Sequence, residues 1–287
     1  MRLAAFSTPG DPTVRLGRVV ADGMIDVARA CPDLPPTLRA LLAAGPEAVA
    51  RAARADGPLT PLDALRLHAP IPDPEKMLAI GLNYADHGAE VSHLDLARPE
   101  SQKWFNKQVS CIAGPRDDIV MPRVSDQLDH EVELALVIGT ACREVDRDGA
   151  RRAIAGYMVA NDVSVRDWQF RSPTVTLGKS FDTHGPTGPW LTLAEAVDPA
   201  GLALTCTVDG VVRQSGSTRD LIHDGFDLVA YLSQVMTLKP GDIVLTGTPA
   251  GVGIAADPPR FLRAGQVVRC EIEGLGAIEN RVVAPAP

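Results

Sequence analysis

Two acidic residues interrupt an otherwise apolar stretch of the sequence, DHEVELALVIG, at residues 129–139. The stretch predicts a strand, on which Glu131 and Glu133, two positions apart, point to the same face. Adjacent buried carboxylates repel each other and are costly to desolvate, so they need compensation. Solvent exposure of that face, a lysine or arginine opposite, or a divalent cation between the side chains would each supply it. The pair alone leaves these three arrangements open.

A third carboxylate follows a second apolar segment. Tyr157–Ala160 predicts another strand, and Asp162 lies where that strand opens into a loop. An aspartate at such a place can be a turn former or a helix cap, but loops after strands also carry functional groups. With Glu131 and Glu133 it makes an all-oxygen set, which suits Mg²⁺, Mn²⁺ or Ca²⁺. Three protein ligands would leave about three of the six Mg²⁺ positions open, as a catalytic metal requires.

Two other segments carry side chains that could act on a bound molecule. In NYADHGAE, His87 and Glu90 are three positions apart and can touch within a helical turn. The carboxylate would orient the imidazole as a general base for water, although a surface salt bridge is an alternative. The glycines in and beside this segment would let it move as a lid. Lys179, in LGKSFD, is either buried near an anion or an ordinary loop lysine.

A glycine-rich segment, LTGTPAGVG, occupies residues 245–253. Its G-x-x-x-G-x-G spacing matches neither the dinucleotide-binding pattern nor the P-loop pattern. We therefore expect no nucleotide site, and a turn whose backbone N–H groups could hold a carboxylate. The histidines are dispersed and form no Cys/His cluster, so no zinc set competes with the carboxylates.

The elements that must position these residues fall into two groups. Residues 1–71 predict a small N-terminal α/β domain, which a proline-rich connector, APIPDP, links to the remainder. Its strands are expected at Leu3–Phe6 and Val14–Ala21, and its helices at Thr37–Ala44 and Pro46–Ala55.

Residues 72–287 predict one larger domain of the α+β class, made mostly of short strands separated by turns. Two helices are expected, one capped by Asp146 and ending near Ala155, and one over Asp227–Met236. Besides the two strands that carry the carboxylates, strands are expected at Met77–Ile80, Ala203–Val208, Asp242–Leu245, Val267–Ile272 and Arg281–Val283.

Composition excludes several classes of partner. The 287 residues have a formal net charge of −8 and no Lys/Arg-rich run, so we expect no binding to nucleic acid or to a membrane surface. No segment approaches the roughly 20 apolar residues that span a bilayer, and the first residues form no apolar signal segment. Five dispersed cysteines indicate reduced thiols. These features predict a cytoplasmic protein.

Taken in order, the segments resemble the fumarylacetoacetate hydrolase family. The resemblance covers residues from about Met77 to Val283 and rests on GLNYADH, DHEVELALVIG, GYMVANDVSVRDWQ, GKSFDTHGPTGPW, LKPGDIVLTGTPAGVG and IEGLGAIENRVV. It implies the mixed β-roll of that family, preceded by a shorter and more variable N-terminal domain, and a homodimer.

The resemblance also implies roles for the matching positions. The three carboxylates would bind Mg²⁺ or Mn²⁺, and the histidine–glutamate pair and Lys179 would be catalytic. Arg166 and Gln169, in VRDWQ, and Thr248, in the TGT segment, match positions that contact the substrate. The loops Glu100–Asn106 and Phe170–Thr176 are expected to shape the pocket for the substrate tail.

The activity implied is hydrolysis of a C–C bond in a 2,4-dioxo acid, an acylpyruvate or a fumarylpyruvate-like compound, to pyruvate and a carboxylic acid in aromatic catabolism. Fumarylacetoacetate-specific members have an aspartate where this chain has Asn83, so acylpyruvate-type members are the closer comparison. The same residues would serve an isomerase or decarboxylase of oxaloacetate-like acids or unsaturated 2-hydroxy-diacids. A binding protein with a closed, structural Ca²⁺ site is the non-enzymatic alternative.

Overall fold

The computed structural model describes residues 1–91 and 101–286. These residues form a mostly β structure of the predicted α+β class, with short helices between strands. The strands are β1 Arg2–Thr8, β2 Asp11–Val20, β3 Gly23–Asp26, β4 Leu59–Pro61, β5 Arg66–His68, β6 Met77–Gly81, β7 Lys103–Lys107, β8 Ile112–Ala113, β9 Ile119–Val120, β10 Leu128–Asp129, β11 Val132–Ile138, β12 Ile154–Asn161, β13 Ser164–Val165, β14 Gly185–Leu193, β15 Ala203–Val208, β16 Val211–Ser217, β17 Ile243–Leu245, β18 Val267–Ile272 and β19 Gly276–Val283. The helices are α1 Val27–Ala30, α2 Leu38–Ala43, α3 Pro46–Ala53, α4 Ala85–Glu90, α5 Arg147–Ala153, α6 Arg166–Gln169 and α7 Gly225–Val235.

Two open sheets organise the described residues. The larger has 12 strands in the order β4-β3-β2-β1-β14-β12-β11-β17-β6-β7, with β5 paired to β1 and β8 paired to β14. The smaller has five strands in the order β16-β15-β18-β19-β9, and β10 pairs with β13 separately. The strand β11, which was expected to carry the glutamates, therefore lies in the interior of the larger sheet.

The two faces of β11 contact different cores. Leu136 belongs to a cluster with Leu204 and other residues of the smaller sheet, whereas Ala135 belongs to a cluster with Leu41 and other residues of the N-terminal helices. Because side chains alternate along a strand, Glu133 shares its face with Ala135. The apolar character of the stretch thus reflects burial on both faces.

The N-terminal strands continue the larger sheet. β1 pairs antiparallel with β14, with Arg2 opposite Thr192, and the core beneath α2 and α3 combines side chains from both parts of the chain. The division into a domain of residues 1–71 and a domain of residues 72–287 stays a prediction. It states that each part folds independently, and the pairing of strands in this sheet does not test that.

Most predicted elements are observed with shifted ends. Thr37 and Asp146 cap α2 and α5 by accepting hydrogen bonds from the backbone N–H groups of Ala40 and Gly149. The last helix begins earlier than expected, at Gly225, because Asp224 caps it. The expected loop 100–106 is partly strand β7, and Glu100 lies outside the described residues.

Two further expectations concern the chain as a whole. All five cysteines are free thiols. Within residues 1–91 and 101–286, no helix is both long and apolar enough to cross a membrane.

We expect the packing under β11 to dominate stability. Replacing the fully buried Leu136 by alanine should lower the free energy of unfolding by about 2–5 kcal/mol, because a cavity is left between the two sheets. Leu59→Ala is the matched control, since Leu59 is 56 % exposed, and its effect should stay near 0.5 kcal/mol. Urea unfolding measures both, and similar values for the two variants would contradict this assignment of the core.

Candidate functional site

Sheet pairing brings the three predicted carboxylates together. In the antiparallel pair β11–β12, Val132 lies opposite Asn161, so Glu131 and Asp162 are the next residues on the two strands. The N–H of Asp162 donates to the Glu131 carbonyl over 2.8 Å. With Glu133 on the same face, one ligand oxygen from each of the three side chains lies within 4.8 Å of the others. All three residues are buried.

Two lysines partly neutralise this cluster. Lys179 Nζ lies 2.8 Å from Glu131 Oε2 and 2.6 Å from Asp162 Oδ2. Lys107 Nζ lies 2.7 Å from Asp162 Oδ1. Burial alone would lower the pKa of Lys107, but its charge and hydrogen-bond interactions with Asp162, together with the nearby Cys111 and Glu131, outweigh burial and raise that pKa. Of the two positions considered for Lys179, the buried one near an anion is observed, and Lys107 was missed because nothing in KWFNK distinguishes it.

Arg166 lies between the acidic cluster and Gln169. Its Nη1 lies 2.6 Å from Glu131 Oε1, and its Nε donates to Asp129 Oδ2 over 2.8 Å. Gln169 Oε1 accepts from the same Nη1 over 2.9 Å. Arg166 and Gln169 do line the cavity, as substrate contacts should, but the guanidinium is already bonded to two carboxylates. It therefore orients Glu131 in this structure.

The acidic residues of the cluster differ in electrostatic environment. Burial would raise the pKa of Glu131, but the charges of Lys179 and Arg166 outweigh it and hold this pKa well below its usual value. Burial raises the pKa of Glu133, and the charges of Asp162 and Glu131 raise it further. The N–H of Gly247, 2.7 Å from Glu133 Oε2, offsets only part of this. Among the described residues, Glu133 has no ion pair with a lysine or arginine.

This imbalance fits a divalent cation. Three carboxylates converge on one point, and one of them is buried without a cation partner among the described residues. The ligand atoms are all oxygen, the type that Mg²⁺ and Mn²⁺ prefer. Of the three compensations considered for the glutamate pair, solvent exposure is wrong, because both residues are buried. The other two are compatible with one site: basic side chains contact Glu131, and the set as a whole can still hold a metal.

His87 and Glu90 form the predicted pair on α4. His87 Nδ1 lies 3.3 Å from Glu90 Oε2, and the buried imidazole lines the cavity that also contains Glu131 and Glu133. Glu90 Oε1 accepts a hydrogen bond from the N–H of Gly251 over 2.8 Å. The helix is therefore held against the glycine-rich segment, with its histidine directed to the carboxylate cluster.

The glycine-rich segment holds carboxylates of the chain itself. Besides the bonds from Gly247 to Glu133 and from Gly251 to Glu90, the N–H groups of Gly253 and Ile254 donate to Asp129. Glycine is required at position 251, where φ is +105° and a Cβ would lie 2.0 Å from a backbone oxygen. The expected carboxylate-holding turn is thus observed.

Gln214 of β16 links this segment to β11 and was not found from the sequence. Its Oε1 accepts from the N–H of Val132 over 3.0 Å, and its Nε2 donates to Thr248 Oγ1 over 2.7 Å. Thr248 in turn donates to the Val132 carbonyl. Thr248 lines the cavity as predicted, but its hydroxyl is engaged in this bridge. A single glutamine within a second-sheet strand gives no sequence signal for such a role.

Asn83 also has a structural position. Its Nδ2 donates to the carbonyls of His223 and Thr246, and its Oδ1 accepts from the N–H of His223. These three hydrogen bonds join the segment before α4 to two other loops.

The site opens into a cavity of about 320 Å³. Its walls combine apolar side chains with cations. The residues not yet mentioned that line it are Ile80, Gly81, Leu82, Val91, Lys103, Phe105, Phe170, Arg171, Ser172, Pro173 and Val175. Both loops that were expected to shape the substrate pocket therefore contribute to it.

Comparison with known proteins agrees with the motif order. Residues 76–283 match the family model described as fumarylacetoacetate (FAA) hydrolase C-terminal. The chain belongs to the fumarylacetoacetate hydrolase family. It is 41% identical over 290 residues to oxaloacetate tautomerase Fahd2a, mitochondrial, of Rattus norvegicus, a match that covers 99% of this chain and 92% of the relative.

Two solved structures of this family resemble the fold over its full length. One is a maleylpyruvate hydrolase from Sphingobium sp. SYK-6 in complex with manganese(II) ion and pyruvate, with 34% identity, a TM-score of 0.82 and 100% coverage of both chains. The other is a probable 2-hydroxyhepta-2,4-diene-1,7-dioate isomerase from Mycobacterium abscessus, with 34% identity, a TM-score of 0.84 and 100% coverage of both. The family thus includes both a hydrolase and isomerases among the proteins similar to this chain.

The raised pKa of Glu133 predicts a specific pH dependence of stability without metal. The folded pKa lies above the unfolded value near 4.5, so the free energy of unfolding should fall as pH rises from about 5 toward 8. The lowered pKa of Glu131 changes the free energy of unfolding only at pH values below this range. Glu133→Gln should reduce the fall, as should Mg²⁺ or Mn²⁺ added to the wild type.

Thermal unfolding in EDTA at pH 5 and pH 8 measures this effect. Glu279→Gln, on the exposed side of β19, is the control and should keep the wild-type slope. Equal slopes for the wild type and Glu133→Gln would show that Glu133 titrates normally.

Proposed function

We propose that this chain is a Mg²⁺- or Mn²⁺-dependent enzyme that interconverts the keto and enol forms of an oxaloacetate-like 2-oxo diacid. The observation that carries the proposal is the convergence of Glu131, Glu133 and Asp162 beside His87. Similarity over 99% of the chain to an oxaloacetate tautomerase supports tautomerisation ahead of the C–C bond hydrolysis expected from the sequence.

The three carboxylates would hold the cation. When bound, it would supply a Lewis acid for the oxygens of a 2-oxo acid and stabilise the negative charge of an enolate.

His87 is the group best placed to move the proton. Its Nδ1 contacts Glu90, which leaves Nε2 for the cavity, and the carboxylate favours the tautomer in which Nε2 is unprotonated. In that state Nε2 can take a proton from C3 of the keto acid and later return it to the enolate oxygen or carbon. The bond from Glu90 to Gly251 keeps the pair in place during both transfers.

Lys179 provides positive charge beside the reaction centre. Its ammonium is buried between Glu131 and Asp162, where low solvent access strengthens its field. A fixed charge at this place stabilises an enolate without reorganisation during the reaction. Lys179 need not exchange a proton for this purpose.

Hydrolysis of an acylpyruvate or of a fumarylpyruvate-like acid is the second candidate. The same His87–Glu90 pair could deprotonate a water that attacks the 4-carbonyl, and the resemblance to a maleylpyruvate hydrolase favours it. Decarboxylation uses the same enolate and is the third outcome to be tested.

Products separate these reactions. Purified enzyme with Mg²⁺ or Mn²⁺ should accelerate decay of the enol absorbance of oxaloacetate at constant mass, above the rate with metal alone. Pyruvate plus a second acid from acylpyruvates would instead indicate hydrolysis, and CO₂ would indicate decarboxylation. No acceleration of any of these three reactions would contradict the proposal.

Glu133→Gln tests the metal role with little structural disturbance, because Glu133 neutralises no lysine or arginine among the described residues. We expect metal-dependent turnover to fall at least about 100-fold, since one charged ligand is lost, while the metal-free protein stays folded. Titration of Mn²⁺ by calorimetry measures the affinity, with Glu279→Gln as control. Unchanged Mn²⁺ affinity would place the cation elsewhere.

His87→Asn tests the proton transfer. It should lower kcat by about 10²–10⁴-fold with Mn²⁺ affinity unchanged, because the base is lost and the carboxylates remain. Exchange of the C3 protons of the substrate with deuterated solvent, followed by NMR, measures this step directly. Normal exchange in His87→Asn would assign the base to another residue.

A further inference from the structure

The cavity contains four basic side chains, among the described residues, and these differ in how fully they are neutralised. Arg166 and Lys179 are buried and each contacts two carboxylates at 2.6–2.8 Å. Lys103 and Arg171 are exposed and line the same cavity. Because Arg166 and Lys179 are already paired with the acidic cluster, a second anionic group of a ligand must bind to other cations.

Arg171 is held in a defined orientation at the cavity wall. Its guanidinium lies over the ring of Trp168, 3.8 Å from the ring centroid, and the aromatic face restricts its motion. Its nearest carboxylate is Asp167, at 3.6 Å, which is longer than the bonds of the buried cations. The Asp167 carboxylate also accepts from Ser125 Oγ. Within the described part of the chain, the guanidinium donates no hydrogen bond.

Lys103 comes from the other expected loop and lines the same cavity. It begins β7, where it lies opposite Gly81, which also lines the cavity. It makes no ion pair with any residue of the described ranges. Phe105 and Phe170 contribute apolar surface nearby, which reduces solvent access and strengthens the attraction of the cations for an anion.

We propose that Arg171, assisted by Lys103, binds the distal carboxylate of a dicarboxylic 2-oxo acid and selects diacids over acids with an uncharged tail. This inference rests on the proposed function, because the first carboxylate and the 2-oxo group are assigned to the metal site. A planar guanidinium offers paired N–H donors that match a carboxylate, and among the described residues that of Arg171 has only the 3.6 Å ion pair with Asp167.

The arrangement also has a consequence for salt dependence. The Arg171 side chain is 52% exposed, so its attraction for an anion is partly screened by solvent ions. Discrimination between a diacid and its ester should therefore shrink as ionic strength rises. The metal-bound end of the substrate is buried and should show less change.

A matched pair of substrates tests the assignment. Oxaloacetate and its 4-ethyl ester share the enolisable centre and differ in the distal charge. In Arg171→Gln, kcat/KM for oxaloacetate should fall about 10- to 100-fold, mainly through KM, while that for the ester changes less than about 2-fold. Arg171→Lys should restore part of the loss, and Lys103→Gln should cause a smaller loss, roughly 3- to 10-fold.

Controls separate this inference from others. Arg269→Gln, which removes a partly exposed arginine of β18 paired with Glu271, should leave turnover of both substrates unaffected. Equal losses for oxaloacetate and ester in Arg171→Gln would assign Arg171 a structural role and overturn the inference, as would no loss for either. A wild type that turns over neither substrate would overturn the proposed function, and this inference with it.

Discussion

Repulsion among Glu131, Glu133 and Asp162 is the constraint on which the other features of this structure depend. Three carboxylates whose oxygens lie within 4.8 Å cannot all be charged in a buried place without compensation. Lys107, Lys179 and Arg166 compensate part of it, and the N–H of Gly247 compensates a further part. The residual charge is concentrated at Glu133. A site built in this way favours a divalent cation without requiring one for its shape.

The glycine-rich segment fixes the positions of several carboxylates through its backbone N–H groups. Its N–H groups hold Glu133 from β11, Glu90 from α4 and Asp129 from β10, so one short segment sets the relative position of three elements. Gln214 then ties the segment to β11 from the smaller sheet. The candidate metal ligand Glu133, the His87–Glu90 pair and Asp129 are thus positioned by one network of hydrogen bonds.

Much of this arrangement follows from local sequence patterns. The two-residue period of a strand places Glu131 and Glu133 on one face. The strand that ends before Asp162 brings Asp162 beside these glutamates. The spacing of three within a helix lets His87 contact Glu90. Contacts across long distances in the sequence were not predictable, among them those of Lys107 and Gln214, because they depend on strand order. Arg166 was identified as a cavity residue, but its bonds to Glu131 depend on the same tertiary pairing. A homodimer and a cytoplasmic location stay predictions.

The pairing of β1 with β14 has a consequence for biogenesis. Arg2 lies opposite Thr192, so β1 cannot pair with β14 until some 190 further residues have been synthesised. Contacts between such distant residues close large loops and slow folding. During that interval, β1 has only the hairpin with β2 and the short β5 to cover its edges. Exposed strand edges promote association between chains, so the nascent protein is vulnerable to aggregation until β14 arrives.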